Sequence, residues 1–277
     1  MANELTTIYA PKTDELFKAE SKMSLLTNTD YNWDGAHAIR LWKISTAKMN
    51  DYARNKTEED NQISRYGSLL DLGTQTEILT LSKDRSFIFN IDKLDFDETN
   101  EQLEAGSALA RQLREVVVPE VDKHVYDKMA AGAGKKVTKA LTKADVYTAI
   151  LAGSEYMDDK EVPDTERVLV VTPATYALLK QATEFDNTDV GADMKLRGVV
   201  GYLDGMAVVR VPASRLPQSF GFMIAHPSAC TAPVKLNDFN VHHNTPLSSG
   251  DVVTGRVVYD AFVLDNKKDG IYYHAIA

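Results

Sequence analysis

Residues 90–131 read NIDKLDFDETNEQLEAGSALARQLREVVVPEVDKHVYDKMAA, and they carry the strongest helix signal in the chain. Thr99 and Gln102 have the spacing of a capping box, and acidic residues beside them suit the positive end of a helix dipole. Apolar side chains then recur at every fourth position, at Leu109, Leu113, Val117, Val121, Val125 and Met129. Such a stripe is typical of an amphipathic helix, so we predict a helix over residues 100–131.

The predicted helix is unusually long. At about 1.5 Å per residue it extends over about 48 Å, well above the common length in compact domains. Pro119 lies inside it and cannot donate a backbone hydrogen bond, so we expect a kink there. The alternative is two helices with a break before Pro119, because the residue before a proline disfavours helical backbone.

The composition is that of an ordinary folded protein. The chain has 277 residues and a mass of 30.7 kDa, with 44% apolar and 26% charged residues, which allows one or two domains. Its 40 acidic and 31 basic residues give a formal net charge of −9. This charge argues against a dedicated nucleic-acid binder and against an anionic membrane surface as a partner.

Compartment signals point to a soluble protein or a soluble assembly. The first residues contain no signal peptide, and no run approaches the roughly 18 apolar residues of a membrane span. The one cysteine, Cys230, cannot form an intrachain disulfide, which fits folding or assembly in a cytosol.

The chain before the long helix predicts extended structure. Residues 1–31 are polar with scattered apolar anchors and one short helix around 14–23, which indicates either an arm against a neighbour or a frayed terminus. A strand is expected at 36–44, followed by a highly polar insertion at 50–65. Residues 78–91 hold two β-rich runs around an expected turn at 82–86, so residues 36–95 predict strands with a long projecting hairpin.

The chain after the long helix predicts a mixed α/β module and a β-rich tail. Helices are expected at 142–151, capped by Thr142, and from Thr172-Pro173 through Ala182. Asp204-Gly205 predicts a hairpin turn, and residues 265–270 predict a turn between the last two strands. The expected strands are 168–171, the hairpin at 199–211, 221–225, 252–258, 261–264 and 271–274.

Motifs for chemistry are missing. Residues 132–136 resemble a phosphate loop but lack its first glycine and its final Ser or Thr, so a glycine-rich helix end is the better interpretation. Residues 265–270 resemble the start of a calcium loop, yet Lys267 and Ile276 stand where oxygen ligands belong. The sequence contains no HExxH, CxxC or GxSxG pattern, and Cys230 is expected to be a small buried residue. We therefore predict no catalytic, cofactor-binding or metal-binding residues.

The order of parts resembles the major capsid proteins of tailed bacteriophages, whose fold is named after phage Hong Kong ninety-seven. Three stretches carry the resemblance. Residues 90–99 resemble the entry to the spine helix, residues 117–130 resemble its second half with the internal proline, and residues 259–274 resemble the closing strands. The resemblance covers nearly the whole chain by order of elements.

The resemblance implies an α+β Hong Kong ninety-seven-like capsid fold with an N-terminal arm, an extended β-hairpin loop, a long spine helix, and peripheral and axial domains. The implied parts are an arm at 1–31, the extended loop with flanking peripheral-domain strands at 32–95, the spine helix of the peripheral domain at 96–141, the axial domain at 142–225, and return strands of both domains at 226–277.

The resemblance also implies a function. The chain would be a major capsid protein that self-assembles through hexameric and pentameric capsomers into an icosahedral or prolate shell around a double-stranded DNA genome. Expected partners are further copies, a separate scaffold protein, a portal and decoration proteins, with packaged DNA contacted only non-specifically and no membrane. The expected location is the virion, after assembly in the cytoplasm of the bacterial host.

Some family members crosslink a loop lysine to an asparagine of a neighbour. Lys48, Lys56 and Lys83 lie in the implied loop and Asn266 lies in the tail, but no residue pattern indicates that this chemistry occurs. Two other functions stay open from the residues. One is an encapsulin-type shell of a bacterial nanocompartment, and the other, less favoured because catalytic motifs are missing, is a soluble α/β enzyme.

Overall fold

The computed structural model describes residues 21–28, 38–52, 54, 65–67, 69–94, 104–181, 199–243 and 249–277. These residues belong to two units. The body comprises residues 1–32 and 82–277, and the hairpin unit comprises residues 33–81. The helix expected around 14–23 falls almost wholly outside the described residues, as does most of the polar insertion at 50–65.

The long helix is present and unbroken. It consists of α1 (Ala105–Gln112), a π-helical turn at Leu113–Val117, and α2 (Val118–Gly132), which together extend over about 42 Å. The alternative of two helices separated before Pro119 is therefore wrong. The π-helical turn directly precedes Pro119, and such a turn widens the backbone where a proline leaves a carbonyl without its usual donor. The expected cap at Thr99 lies outside the described residues.

The hairpin unit is built on two antiparallel strands. Strand β1 (Ala38–Ile44) pairs with β2 (Thr74–Thr80), so the connection between them is formed by residues 45–73. The strand expected at 36–44 and the long hairpin are confirmed.

The prediction of a turn at 82–86 is wrong. Strand β3 (Lys83–Asp92) begins there and pairs with a late strand, β11 (Gly250–Tyr259), rather than with β2. The polar residues of this run belong to strand pairing, since Asp84 accepts a hydrogen bond of 2.9 Å from Nε of Arg256 on β11.

A three-stranded sheet supports the first part of the long helix. Its order is β10 (Val234–His243), β11 and β3, all antiparallel. Ile91 and Val253 form a small buried cluster with Ala105 of α1. Leu109 packs against the same cluster, so the N-terminal end of the predicted stripe meets this sheet.

A mixed six-stranded sheet forms the main core, in the order β4-β13-β8-β5-β7-β6. The strands are β4 (Lys135–Thr138), β5 (Val168–Val171), β6 (Val199–Leu203), β7 (Met206–Arg210), β8 (Phe220–Ala225) and β13 (Ile271–Ala275). Val168 and Val170 join the cluster on one face, which includes Met129 of α2. Leu169 and Val171 join the cluster on the other face, so all four residues of β5 are apolar because both faces of the sheet are covered.

Two short helices cover the second face. They are α3 (Val146–Asp159) and α4 (Pro173–Lys180), whose residues Ile150, Met157 and Leu179 belong to the second cluster. The start expected for α4 at Thr172-Pro173 is confirmed, and Thr172 Oγ1 caps the helix by accepting a 3.1 Å hydrogen bond from the amide of Thr175. Helix α3 starts later than expected, since Thr142 lies in a preceding turn in which it contacts Asp145, the residue before the helix.

The tail differs from expectation in its strands and in its last turn. Strand β10 (Val234–His243) was not among the expected strands. Residues Asp265–Gly270 form a short 3-10 helix rather than a hairpin turn. The strand before it, β12 (Phe262–Val263), pairs with β9 (Cys230–Thr231), whereas β13 pairs with β8 and β4. The segment therefore connects two sheets. The hairpin at Asp204-Gly205 is confirmed, with φ values of 50° and 73° that suit a tight turn.

The described part of the expected arm packs on the body. Leu26 is fully buried in the cluster that contains Met129, and Met23 and Leu25 pack against that cluster. Asn28 forms a parallel bridge with Thr231 of β9. Residues 21–28 therefore contribute to the core of the body.

A pair of glycine substitutions tests the packing of α3. A Cβ at Gly153 would lie 2.7 Å from Cδ1 of Ile224 and 3.0 Å from the ring of Tyr272, whereas a Cβ at Gly106 on α1 meets nothing within 4 Å. Gly106→Ala should raise the free energy of unfolding by about 0.5–1 kcal/mol. Gly153→Ala should lose that gain through overpacking, which typically costs about 1–3 kcal/mol. Urea unfolding of both variants measures the difference, and equal gains would contradict the tight contact.

Candidate functional site

The described residues contain no metal centre. No group of three or more His, Cys, Asp or Glu side chains among them is placed to hold an ion. Four described histidines have side-chain partners instead, namely Asp260 for His124, Ser228 for His226, Thr254 for His242 and Asp251 for His243. Cys230 is fully buried as expected, and burial raises the pKa of its thiol to about 12, so a nucleophilic thiolate does not form near neutral pH.

The hairpin unit exposes a large apolar surface. In the described part of the chain, nine of the fourteen exposed large apolar side chains belong to this unit, including Trp42 at 68% and Met49 at 99% exposure. The others are Ile44, Tyr52, Tyr66, Leu69, Leu70, Leu72 and Ile78. A surface with this much exposed apolar area is a candidate for contact with another protein.

Strand pairing places part of this surface on one face. Trp42 lies opposite Thr76, Ile44 opposite Thr74, and Ile78 opposite Arg40, so these side chains share a face of the β1–β2 pair. We call this face, with Trp42, Ile44 and Ile78, the hairpin face.

The opposite face of the β1–β2 pair is less exposed. It carries Ile39, Leu41 and Leu79, together with an ion pair of 2.9 Å between Lys43 and Glu77. An isolated two-stranded hairpin is marginally stable at best in water. Because Leu79 on this face is only 4% exposed, the hairpin face is the side of the pair that further apolar contact can cover.

In the body, the carboxylate of Asp260 receives four hydrogen bonds at the point where the chain returns from the hairpin unit. Its Oδ2 accepts from the amide and the hydroxyl of Ser82, at 2.8 and 2.6 Å. Its Oδ1 lies 2.8 Å from Nε2 of His124 and accepts a 2.8 Å hydrogen bond from the amide of Ala261. Burial opposes ionisation of this carboxyl, but these donors outweigh it and hold the pKa of Asp260 below its ordinary value.

A second polar contact lies one helical turn before His124. Glu120 Oε1 accepts a 2.7 Å hydrogen bond from Nε of Arg85 on β3 and one of 3.3 Å from the hydroxyl of Tyr259. Burial and the Glu120 carboxylate raise the pKa of Tyr259 to about 12, so the phenol remains protonated and donates. The ring of Tyr259 also meets His124 edge-on, with centroids 5.6 Å apart.

An apolar groove of about 320 Å³ lies along the long helix. Its walls include Val117 and Val121 from the helix, Phe239 and Val257 from the sheet, and Met23. A groove with this lining suits an apolar surface better than a polar small molecule.

Among the described residues that line the groove, Asp122 carries the one carboxylate, and it is already engaged. Asp122 accepts a hydrogen bond of 2.6 Å from Ser21 and one of 2.7 Å from Arg215. Because both partners are supplied by the body itself, the described lining presents its carboxylate already paired.

Sequence reasoning did not find the Asp260 cluster. Ser82, His124 and Asp260 are far apart along the chain, so only the tertiary structure brings the three together. A signal was present in retrospect, since a histidine stands next to the apolar stripe of the long helix, but spacing does not identify its partner.

The residues named for crosslinking lie in separate settings. Lys48 is exposed in the hairpin unit, Lys83 begins β3, and Asn266 lies in the 3-10 helix of the tail. Lys56 lies outside the described residues.

The Asp260 cluster generates a pH prediction. Because the pKa of Asp260 is lowered in the folded chain, its carboxylate contributes stability that is fully present above about pH 4. That contribution is lost as the pH falls through the lower pKa of the folded state. Asp260→Asn should therefore lower the free energy of unfolding by about 2 kcal/mol at pH 7, and the difference from the unaltered chain should shrink below about pH 4.

Urea unfolding between pH 3 and pH 7 measures this difference. Asp251→Asn is the matched control, because Asp251 also lies 2.7 Å from a histidine, but the ring of His243 is 69% exposed. This control should have little effect at any pH. Equal losses in the two variants would show that the buried network around Asp260 adds nothing beyond a surface ion pair.

Comparison with solved structures identifies the fold. A structure from Mycobacterium phage Che8 matches with a TM-score of 0.75 and 18% identity, over 98% of this chain and 97% of that chain. The capsid structure of cyanophage P-SCSP1u matches with a TM-score of 0.74 and 15% identity, over 98% of this chain and 93% of that chain. The mature capsid of bacteriophage PhiM1 matches with a TM-score of 0.75 and 15% identity, over 98% of this chain and 92% of that chain. These likenesses confirm the expected Hong Kong ninety-seven-type capsid fold.

The sequence comparisons identify the family. No curated protein matches the chain, and no helix in its described part is long and apolar enough to cross a membrane. A family model described as phage capsid protein matches residues 74–273, which is more than half of the chain. The match favours the capsid interpretation over an encapsulin or a soluble enzyme. The chain therefore belongs to the phage capsid protein family, and it is a major capsid protein, a structural component of a bacteriophage virion.

Proposed function

We propose that this major capsid protein builds its shell by covering the hairpin face of each copy with a neighbouring copy. Copies related in this way would form hexameric and pentameric capsomers, which close into a shell around the double-stranded DNA genome of a tailed phage. The observation that carries the proposal is the exposure of Trp42, Ile44 and Ile78 on one face of a two-stranded pair. Burying each such side chain is worth about 1.5–3 kcal/mol, repeated at every interface of the shell.

The finer organisation follows the same proposal. Residues 142–225 would form the axial domain near capsomer centres, and the long helix with the three-stranded sheet would form the peripheral domain. Residues 1–31 would act as the N-terminal arm, with the described anchor at residues 21–28 joining it to the body. The described residues of the body are held by apolar clusters and polar pairs, which supports a structural subunit.

Other partners belong to the assembly pathway. A separate scaffold protein, a portal and decoration proteins would act with the subunit in the cytoplasm of the bacterial host. Packaged DNA would be contacted only non-specifically, since the net charge of −9 does not favour tight binding to the phosphate backbone.

Electron microscopy and size-exclusion chromatography of the purified chain, with scaffold protein if required, test the proposal. The unaltered chain should form closed particles. Trp42→Glu combined with Ile44→Glu should lower particle yield at least about tenfold, because charged side chains would have to be buried at each interface. Circular dichroism of the unassembled subunit should not change, since both side chains are largely exposed in the subunit.

Leu151→Glu serves as the control for added charge. Leu151 is an exposed leucine on α3, outside the hairpin unit. Its variant should assemble with a yield close to that of the unaltered chain. If the unaltered chain stays monomeric under all these conditions, or if the Trp42/Ile44 variant assembles as well as the Leu151 variant, the proposal is wrong.

A further inference from the structure

We propose that Asp260 is a positioning residue for assembly, because it fixes the joint at which the chain returns from the hairpin unit to the body. The inference rests on the proposed function, since a fixed joint matters only if the hairpin unit has to meet a neighbour. Asp260 touches no other copy in this role. It acts through Ser82, the first residue of the body after the hairpin unit.

The contact with Ser82 restrains the backbone as well as the side chain. One carboxylate oxygen accepts both the amide hydrogen of Ser82, at 2.8 Å, and its hydroxyl hydrogen, at 2.6 Å. Two donors on one residue that meet the same oxygen fix both the position and the orientation of that residue. Hydrogen bonds to a charged acceptor are also stronger than those between neutral groups.

The carboxylate is itself held in place from the other side. Its second oxygen lies 2.8 Å from Nε2 of His124 on α2 and accepts the amide hydrogen of Ala261 at 2.8 Å. The side chain of Asp260 is 1% exposed, so water does not compete for these positions. The backbone amide of Asp260 also donates to the carbonyl of Pro233 at 3.3 Å. The joint is thereby connected to the long helix and to the end of β11.

A second attachment follows three residues later. Arg85 donates to Glu120 on the long helix at 2.7 Å, and Glu120 accepts from Tyr259 as well. Lys83 pairs with Tyr259 and Asp84 with Val258, so strand pairing starts directly after the joint. The chain after Ser82 is therefore fixed by side chains and by backbone within its first few residues.

Fixing the joint in the free subunit lowers the cost of assembly. Each interface has to order the segments that meet there, and ordering before contact removes that cost from association. Without the Asp260 carboxylate, the amide and hydroxyl of Ser82 would lose their charged acceptor, so the chain at Ser82 would have to be ordered during assembly. The expected consequences are slower and less uniform assembly, with a subunit that still folds.

The test compares Asp260→Asn with Asp251→Asn, whose carboxylate also pairs with a histidine but lies far along β11 from Ser82. Hydrogen exchange of the unassembled subunit measures directly how well the Ser82 amide is protected. In Asp260→Asn the amide of Ser82 should exchange at least about tenfold faster, because its charged acceptor is gone, while amides of α3 keep their rates. Particles of this variant should form with lower yield or a broader size distribution than those of the Asp251 variant.

Two further variants keep the test decisive if Asp260→Asn fails to fold. Ser82→Ala removes only the hydroxyl donor, and His124→Gln replaces the ring that supports the carboxylate. Both variants should speed exchange of the Ser82 amide and broaden the particle size distribution, by smaller amounts than Asp260→Asn. Asp260→Glu, which keeps a carboxylate, should show a smaller change in both measurements than Asp260→Asn. A merely structural role would lower global stability without singling out the Ser82 amide.

The outcomes separate this inference from the proposed function. If the unaltered chain forms no particles, the proposed function fails, and the positioning role fails with it. If the unaltered chain assembles, but the Asp260 variant matches it in Ser82 exchange or in particle yield and uniformity, the positioning role alone is overturned.

Discussion

Burial of the second half of the long helix against β12 and β13 is the contact on which the body depends. Val125 and Met129 share a cluster with Val170 of the six-stranded sheet and with Leu26 from the N-terminal end of the chain. One helix thereby joins parts of the chain that are far apart in sequence. Apolar burial provides most of the favourable free energy, and polar pairs such as Asp122 with Arg215 select the alignment, since each buried charge needs its partner.

The two units differ in how far their apolar side chains are buried. In the body, both faces of the six-stranded sheet are covered, so even Leu169 and Val171 on the second face are buried. In the hairpin unit, Trp42 and Met49 remain largely exposed. A chain with one well-packed unit and one exposed apolar unit suits a subunit of a larger assembly, because contact with another copy can cover the exposed side chains.

Local patterns identified elements but not partners. The i, i+4 stripe predicted the long helix, and Asp204-Gly205 predicted its hairpin, because both signals depend on residues close in sequence. The polar run after Ser82 was taken for a turn, since nothing local shows that Asp84 faces Arg256 on a distant strand. The 3-10 helix at Asp265–Gly270 was missed for the same reason, because a turn and a connection between two sheets need the same residue types.

By itself, the amino-acid sequence determined the class of protein: acidic, without catalytic motifs, with a long helix and an order of parts that resembles a capsid subunit. It also determined where most elements lie, since propensity, capping and periodicity act over a few residues. Only the tertiary structure decided which strands pair, that the helix passes Pro119 through a π-helical turn, and that His124, Asp260 and Ser82 meet. The pairing of β3 with β11 and the Asp260 cluster depend on contacts between residues more than a hundred positions apart, which no local pattern encodes.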